Sequence, residues 1–380
     1  MKAVGIGIVG AGHISGAHAA AVQKAHGADL IAVCDPDLDR ARSLADRHGN
    51  LMVFPSLDEM LACSQVEAVI IATPNHLHPS QAIECARAGR HVLCEKPIAN
   101  SVAEAQAAIE AASSRNLVFR SGFNQRFLQQ VKLAKLAIER GVIGDIYGFR
   151  SVFSGKWDNY FDGSNFRFDP ALSGGTTIND NLIHRYDMVR HLLRDEFRSV
   201  VADLAHSVIP PVVDDNVNLI VKTGRGARGT FSADRYSPVI ADSTELYGTK
   251  GSIHVVTNAV SPFHAVPLAI FTTLPENEMP MEIQDALFPQ ARARKIPGWT
   301  GWMTIWPQFN DAYADQVAEF VSAIRGREKA RIGATGIDGV RATELIQAAY
   351  TSHIEGRWVD LPLPENAIYQ VPSYSSTPGA

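Results

Sequence analysis

The first third of the chain alternates short apolar runs with segments of helical periodicity. The segments between the runs place apolar residues every three or four positions, which is the spacing of an amphipathic helix. Nearly continuous apolar strands separated by such helices are typical of a parallel sheet that is buried on both faces. The pattern therefore predicts a doubly wound α/β domain. The apolar runs lie at residues 4–10, 30–35, 67–74, 91–97 and 117–123.

The pattern changes after residue 123, where strands and helices no longer alternate. Short glycine-rich turns join some of the strand-like runs, which indicates antiparallel hairpins. Residues 257–308 show little regular pattern, and the Pro/Ser-rich tail at 361–380 is predicted to be extended. We therefore predict an N-terminal domain of residues 1–123 and a second domain of residues 124–380. The second domain is predicted to contain strands at 146–154, 198–206, 215–222, 227–236 and 243–256, and helices at 129–141 and near 178–193, 310–325 and 337–355.

Composition narrows the class of protein. The 380 residues are enough for two domains, and the net charge of −5 argues against a nucleic-acid binder, which usually presents a basic face. No apolar run approaches the roughly 18–20 residues that cross a bilayer, and glycines interrupt the apolar start, so we expect neither a membrane span nor a signal peptide. The four cysteines are scattered without metal-binding spacing, which predicts free thiols, a cytoplasmic location and no metal site.

A cluster of glycines lies between the first apolar run and the helical segment that follows it. Gly10 and Gly12, with His13 and Ile14 after them, match the dinucleotide-binding fingerprint, except that Ser15 stands where the third glycine is usual. In that motif the first glycine makes a tight turn and the second lets the backbone approach a pyrophosphate. The helix N-terminus supplies N–H donors and partial positive charge to the same group. This turn is therefore predicted to bind a dinucleotide.

An acidic residue stands where the second strand is predicted to end. Asp35 follows the glycine turn at about the 20-residue spacing of the fingerprint, where a carboxylate accepts hydrogen bonds from the hydroxyls of the adenosine ribose. The same charge repels a 2′-phosphate, so the sequence predicts NAD rather than NADP as the cofactor. Arg40, one helical turn further on, either softens this preference or is a solvated charge of the helix.

Glu95, Lys96 and Pro97 end the fourth apolar run, at the edge of a parallel sheet where ligands bind. A lysine beside a nicotinamide and a substrate carbonyl can donate a hydrogen bond to the reacting oxygen. The other interpretation is a surface lysine before a turn proline. We expect Lys96 to be catalytic and to bind both cofactor and substrate, and Glu95 to contact the cofactor.

Asp180 and His184 are spaced four residues apart in a predicted helix, so their side chains are expected to share one face. Histidine titrates near neutrality and can exchange the hydroxyl proton as a hydride leaves the same carbon. A purely structural carboxylate–histidine pair is the alternative. We expect both residues to be catalytic and to bind substrate.

Other polar and aromatic residues are weaker candidates for the site. Asn124 and Arg126 lie at the predicted domain junction, Asn124 as a cofactor contact and Arg126 as a substrate contact. Residues of an irregular segment can bind hydroxyls or stack on a sugar face, or else close the hydrophobic core. The candidates expected to line the cofactor path are Thr73, Pro74, Asn75 and His78. The candidates in the irregular segment are Lys156, Trp157, Tyr160 and Arg167. A tryptophan cluster, expected to be a lid or a subunit contact, comprises Trp299, Trp302 and Trp306.

Several blocks of the chain resemble the glucose–fructose oxidoreductase / inositol dehydrogenase family, known as Gfo/Idh/MocA. The block that ends in the Glu95-Lys96-Pro97 tripeptide is specific, and the matching blocks follow the family's order over most of the chain. One departure is Leu182, which stands where many relatives have a small residue and is expected to reshape a substrate pocket. The matching blocks lie at 7–14, 72–97, 122–127, 166–187 and 245–253.

The resemblance implies an N-terminal Rossmann domain and a C-terminal α+β domain built on a large, mostly antiparallel sheet. It implies an NAD- or NADP-dependent enzyme that oxidises or reduces sugars, cyclitols and related polyols, with Lys96, Asp180 and His184 at the catalytic positions and Pro97 in the cis form. We expect a homo-oligomer, a dimer or tetramer. Two other functions stay open: an NAD-using glycoside hydrolase that acts by transient oxidation and elimination, and a non-catalytic NAD-sensing regulator.

Overall fold

The structure is a computed structural model that describes most of the chain. The described residues are 2–155, 165–207, 213–258, 265–287, 291–295, 301–326 and 332–364, together with 367, 370–372 and 374. The strands are β1 (Val4–Val9), β2 (Ala28–Cys34), β3 (Met52–Phe54), β4 (Ala68–Ile71), β5 (His91–Cys94), β6 (Phe119–Ser121), β7 (Ile146–Ser154), β8 (Phe197–Ala205), β9 (Asn216–Thr223), β10 (Arg228–Asp234), β11 (Ala241–Gly248), β12 (Gly251–Val255), β13 (Leu268–Thr272), β14 (Ala291–Lys295), β15 (Trp302–Pro307) and β16 (Val359–Asp360). The helices are α1 (Ser15–Lys24), α2 (Leu38–Arg47), α3 (Leu57–Ala62), α4 (His78–Arg87), α5 (Val102–Ser113), α6 (Gln129–Glu139), α7 (Pro170–Ser173), α8 (Ile183–Leu193), α9 (Met281–Leu287), α10 (Ala312–Ile324) and α11 (Gly336–Glu355).

The first of two compact units combines the chain up to Phe127 with Asp311–Thr343. Its sheet has the strand order β3-β2-β1-β4-β5-β6, and every pairing is parallel. This is the order of a Rossmann fold, and β1 and β4 are buried along their whole length. The predicted doubly wound α/β domain is confirmed.

Side chains at the start of the helices explain where several of them begin. The carboxylate of Asp37 accepts hydrogen bonds from the N–H groups of the first turn of α2. Ser56 and Ser101 cap α3 and α5 in the same way, and each also donates to the glutamate three residues later, Glu59 or Glu104. These reciprocal caps satisfy backbone donors that have no partner within the helix.

The end of the first unit differs from the predicted domain boundary. Its N-terminal segment ends at Phe127, close to the predicted residue 123, but α10 and the start of α11 also belong to it. Val317, Phe320 and Val321 of α10 are buried in the same apolar cluster as β1. The sequence shows that α10 is amphipathic, but its apolar face alone does not tell which sheet it covers.

The second compact unit contains Leu128–Asn310 and the chain from Glu344 onward. Among its described residues a ten-stranded sheet runs in the order β14-β15-β13-β12-β11-β7-β10-β9-β8-β16. Only the pairing of β7 with β10 is parallel, and the others are antiparallel. Phe149, Tyr186, Phe197 and Phe231 form an aromatic cluster against this sheet. The predicted large, mostly antiparallel sheet is confirmed.

Three local predictions need correction. Residues 257–308 contain β13, α9, β14 and β15, although the sequence shows little regular pattern there. The predicted helix near 178–193 is divided into a π-helical turn, Thr177–Asn181, and α8. The short elements β3 and α3 were not predicted, because three to six residues are too few to show a clear period. Within the described ranges no helix is both long and apolar enough to cross a membrane.

Candidate active site

The carboxyl ends of the strands in the first unit meet at one edge of its sheet. Because these strands are parallel and neighbours in the sheet, the residues that follow them are brought to that edge. Five predicted site residues lie there although they are far apart in the sequence. Gly10 follows β1, Asp35 follows β2, Thr73 follows β4, Lys96 follows β5 and Asn124 follows β6.

The glycine turn after β1 is shaped by hydrogen bonds to its neighbours. Gly10 has a φ of +94°, its N–H donates to the Cys34 carbonyl at 2.8 Å, and a Cβ there would lie 2.7 Å from the carbonyl oxygen of Ala72. A Cβ at Gly12 would meet no atom within 4 Å. The Ser15 hydroxyl donates to the Gly10 carbonyl at 2.6 Å. Gly10 is thus required by the fold, whereas Gly12 leaves space beside the start of α1 that fits a pyrophosphate.

Changing each glycine to alanine should have a different effect: Gly10→Ala should lower stability, and Gly12→Ala should lower the affinity for NAD. Gly10→Ala places a Cβ at positive φ against the Ala72 carbonyl, so the free energy of unfolding should fall by about 1–3 kcal/mol. Gly12→Ala meets no protein atom, so we expect a stability change within about 0.5 kcal/mol. Its methyl group should nevertheless weaken NAD binding, because it takes up space at the phosphate turn. Denaturant unfolding and calorimetric titration with NAD measure the two effects.

Gly89→Ala is the control for backbone strain. Gly89 also has a positive φ, +74°, but a Cβ there meets no atom within 4 Å. This variant should lose less stability than Gly10→Ala and should bind NAD normally. Unchanged NAD affinity in Gly12→Ala would contradict the placement of the pyrophosphate.

Asp35 ties the end of β2 to the glycine turn. Its Oδ2 accepts from the N–H of Ala11 at 2.7 Å, and its Oδ1 accepts from the N–H of Asp37 at 2.8 Å. A carboxylate offers about four acceptor sites, so capacity remains for ribose hydroxyls. Arg40 is exposed and its Nε lies 3.0 Å from Oδ2 of Asp37, which agrees with a solvated charge of the helix.

The loop after β4 is closed by side chains of α4. Thr73 donates from Oγ1 to Gln81 at 2.6 Å, and Thr73, Pro74 and Asn75 are partly exposed. His78 is buried, with Nδ1 2.6 Å from the carbonyl oxygen of Pro97 and Nε2 2.8 Å from that of Thr73. Burial lowers the pKa of His78, and a neutral ring donates to only one of these carbonyls. The ring of His78 therefore ties together the loops that follow β4 and β5.

The turn after β5 carries the lysine. Lys96 is half-buried, and its peptide bond to Pro97 is cis, as the resemblance implied. Glu95 is buried: Oε1 lies 2.8 Å from Nε2 of His18, and Oε2 accepts from the N–H of Lys96 at 3.0 Å. Both carboxylate oxygens of Glu95, which was predicted to contact the cofactor, are thus engaged within the protein.

Two further candidates follow β6. Asn124 begins a short 3-10 turn and is partly exposed, whereas Arg126 in the same turn is buried. Nη2 of Arg126 lies 3.0 Å from Oδ1 of Asp338. The guanidinium predicted to bind substrate is therefore held in an ion pair inside the first unit.

In the second unit Asp180 lies in the π-helical turn and is held by two arginines. Its Oδ2 accepts from Nε of Arg167 at 3.2 Å and from Nη2 of Arg235 at 2.7 Å. Nη2 of Arg235 also donates to Oδ1 of Asn181 at 3.1 Å. Arg235 is buried, so the position of the Asp180 carboxylate is fixed from the interior of the unit.

A buried carboxylate anchors the start of the same turn. Asp214 accepts from the N–H of Thr176 at 2.9 Å and of Ile178 at 2.8 Å, and from the hydroxyl of Tyr350 at 3.0 Å. Burial raises the pKa of Asp214, and these hydrogen bonds oppose the increase. The contacts fix the backbone from which Asp180 projects.

The structure changes the geometry expected for Asp180 and His184. The N–H of Leu182 donates to the carbonyl of Thr177 at 3.1 Å, which is the i→i+5 bond of a π-helix, and His184 lies in the first turn of α8. The pair therefore does not share one continuous α-helix. Such π-helical turns are frequent at functional sites. Leu182, expected to reshape a substrate pocket, is completely buried.

The remaining candidates divide between described and undescribed residues. Trp302 lies in β15 and packs against Phe271 and His254, and Trp306 is exposed. Among the residues that the structure covers, no group of three or more His, Cys, Asp or Glu side chains is placed to hold a metal. Lys156, Trp157, Tyr160 and Trp299 lie outside the described residues.

Sequence reasoning missed His18, Asp214 and Arg235, all of which are buried polar residues next to site residues. A signal existed for His18, which stands among small apolar residues of α1 directly after the glycine turn. For Arg235 and Asp214 the sequence offers no signal, because their partners lie 55 and 38 residues away.

The Rossmann sheet, the glycine turn and Asp35 at the next strand define a dinucleotide-binding protein. Residues 4–123 match the model of the Gfo/Idh/MocA oxidoreductase family with an NAD-binding Rossmann fold, and residues 131–254 match the C-terminal domain of that family. The chain belongs to the Gfo/Idh/MocA oxidoreductase family.

Similar proteins include two named dehydrogenases. The inositol 2-dehydrogenase of Rhizobium meliloti (strain 1021) is 28% identical over 94% of this chain and 99% of its own length. The levoglucosan dehydrogenase of Pseudarthrobacter phenanthrenivorans is 30% identical over 67% of this chain and 73% of its own length. A solved structure of levoglucosan dehydrogenase in complex with NADH and levoglucosan matches with a TM-score of 0.80 at 25% identity, covering 95% of this chain and 100% of that one.

Proposed function

We propose that this oxidoreductase transfers a hydride between NAD and a secondary alcohol or ketone of a sugar, cyclitol or related polyol. The observation that carries the proposal is the placement of Lys96 at the carboxyl edge of the Rossmann sheet, the same edge as the glycine turn of β1, with only β4 between β1 and β5 in the sheet. The named relatives act on inositol and levoglucosan, both of which are polyhydroxylated rings, and this supports the substrate class.

Each proposed catalytic residue has a separate role. NAD supplies the hydride acceptor. Lys96 donates a hydrogen bond to the substrate oxygen, which stabilises the charge that develops there. His184 accepts the hydroxyl proton as the carbonyl forms. Asp180, fixed by Arg167 and Arg235, binds a substrate hydroxyl or orients the imidazole.

A panel of polyols and sugars tests this function. The protein is incubated with NAD and each compound, and NADH is followed by absorbance at saturating cofactor. Net NADH formation on a polyol supports a dehydrogenase. Product formation without net NADH would indicate the glycoside hydrolase instead, and NAD binding without turnover on the whole panel would indicate a regulator.

The choice of cofactor depends on Asp35. Asp35→Ala should weaken NAD binding by about 1.5–3 kcal/mol, because the ribose loses a charge-assisted hydrogen bond. NADP binding should change much less, since the repulsion of its 2′-phosphate is lost as well, so the preference for NAD should narrow. Dissociation constants for both cofactors measure the ratio.

The ratio of the two dissociation constants also controls for the second role of Asp35, its hydrogen bond to the glycine turn. Damage to the turn should weaken the binding of NAD and of NADP equally and leave this ratio unchanged. Asp39→Asn removes an exposed carboxylate of α2 and should leave the ratio unchanged. A wild-type protein that uses NADP as well as NAD would refute the assignment.

We also propose a reducing, cytoplasmic location and a homo-oligomeric state. The four cysteines are free, and three of them are buried. Burial, together with the nearby charge of Asp35, raises the pKa of Cys34 to about 12, which keeps this thiol protonated and unreactive. Light scattering of the purified protein measures the oligomeric state.

A further inference from the structure

His18 is a buried polar residue for which the proposed reaction has no direct use. It lies on α1, its relative exposure is 0%, and its ring packs edge-on against Tyr313 at 5.3 Å between ring centroids. Nε2 of His18 is 2.8 Å from Oε1 of Glu95. A histidine enclosed in this way has no contact with solvent, and Glu95 links it to the proposed site.

Glu95 connects His18 to the catalytic turn. One carboxylate oxygen faces His18, and the other accepts from the backbone N–H of Lys96 at 3.0 Å. Gly122 closes the far side, because a Cβ there would lie 3.2 Å from the carboxyl carbon of Glu95. The carboxylate therefore links the backbone of Lys96 to α1.

The hydrogen-bond network determines which nitrogen of His18 carries the proton. Nδ1 is buried and has no hydrogen-bond partner among the described residues. A proton on Nδ1 would be a buried donor without an acceptor, which is costly, whereas a proton on Nε2 is donated to Glu95. The contacts therefore favour a proton on Nε2, and a carboxylate at position 95 can accept from both N–H groups that face it, those of His18 and of the Lys96 backbone.

We propose that His18 and Glu95 are a pair of positioning residues that hold the backbone of Lys96 in its reactive place. The proposal rests on the proposed function only in taking Lys96 as the catalytic lysine. His18 compensates the buried carboxylate, and the carboxylate fixes the N–H of Lys96. Without His18 the buried carboxylate loses the donor that faces its Oε1, and we expect it to hold the Lys96 turn less firmly.

Kinetics of matched variants test the pair. His18→Leu removes the donor at similar volume, and Glu95→Gln keeps one acceptor oxygen but turns an NH2 group toward one of the two donors that face the carboxylate. Each should lower kcat by about 10- to 100-fold, the scale of a small displacement of a catalytic group, while the dissociation constant of NAD changes less than about threefold. His18→Gln keeps an N–H near the position of Nε2 and should restore most of kcat. The double variant His18→Leu/Glu95→Gln should be no worse than the poorer single variant, because both break one interaction.

A packing control and a spectroscopic measurement separate positioning from general loss of structure. Val22→Ala removes buried volume from the same helix, within the apolar cluster that also contains β1, and should lower the unfolding temperature at unchanged kcat. Nitrogen-15 NMR of labelled histidine should show His18 protonated at Nε2 in the wild type and lose that signature in Glu95→Gln, whether or not this variant is active.

Two results would overturn the proposal that His18 and Glu95 position Lys96. One is wild-type kcat in both His18→Leu and Glu95→Gln, and the other is a wild-type His18 protonated at Nδ1. Either result leaves the proposed function intact if Lys96→Met is inactive. A fully active Lys96→Met would instead refute the role of the lysine itself.

Discussion

Replacing Lys96 with methionine should lower kcat by about 10²–10³-fold, the loss that follows the removal of one hydrogen-bond donor to a developing oxyanion. Methionine matches the apolar stem of lysine and lacks only the ammonium group, so the half-buried side chain should still pack. NAD binding should change little, because the glycine turn and Asp35 are untouched. Steady-state rates at saturating NAD and substrate, with the dissociation constant of NAD measured separately, distinguish these effects.

Lys2→Met is the matched control for Lys96→Met. The side chain of Lys2 is 86% exposed and belongs to the same unit, so this substitution should leave the rate unchanged. If Lys96→Met turned over at nearly the wild-type rate, Lys96 would have no catalytic role, and the surface interpretation of the lysine would be correct.

Replacing His184 with alanine should lower the rate of oxidation by about 10²–10⁴-fold, the contribution expected of a missing general base. A hydride leaves the carbinol carbon only if the hydroxyl proton also leaves, and the acceptor must be deprotonated to take it. Histidine side chains titrate near pH 6.5, so the wild-type rate should rise through the neutral range as the imidazole loses its proton. His184→Ala should lose this rise while it still binds NAD.

The pH–rate profile at saturating NAD and substrate measures this dependence. An unchanged neutral limb in His184→Ala would assign the base to Lys96, whose deprotonation can give a similar profile. His191→Ala changes a second histidine of α8 and should keep both the rate and the profile. If both His184→Ala and His191→Ala lost the rise of the rate through neutral pH, that rise would depend on the integrity of α8 and not on a proton transfer to His184.

The sequence by itself determined the class of the fold and the dinucleotide site. Apolar runs with helical segments between them require a buried parallel sheet, and in such a sheet the residues that follow the strands gather at one edge. Gly10, Gly12 and Asp35 could be assigned because they act within a single strand–turn–helix–strand unit, where spacing along the chain fixes spacing in the molecule. Lys96 could be predicted at this edge for the same reason, since it lies two residues after the end of a strand.

Tertiary structure decided what surrounds these residues. The contacts of His18 with Glu95, of Arg235 with Asp180 and of Asp214 with the π-helical turn join residues that are 36 to 77 positions apart. Which buried donor meets which buried acceptor depends on how the helices and strands pack, and no local pattern records it. The same reason explains why the sequence did not assign α10 to the first unit. Its amphipathic pattern indicates that one face is buried, but only the close packing of side chains determines which surface covers that face.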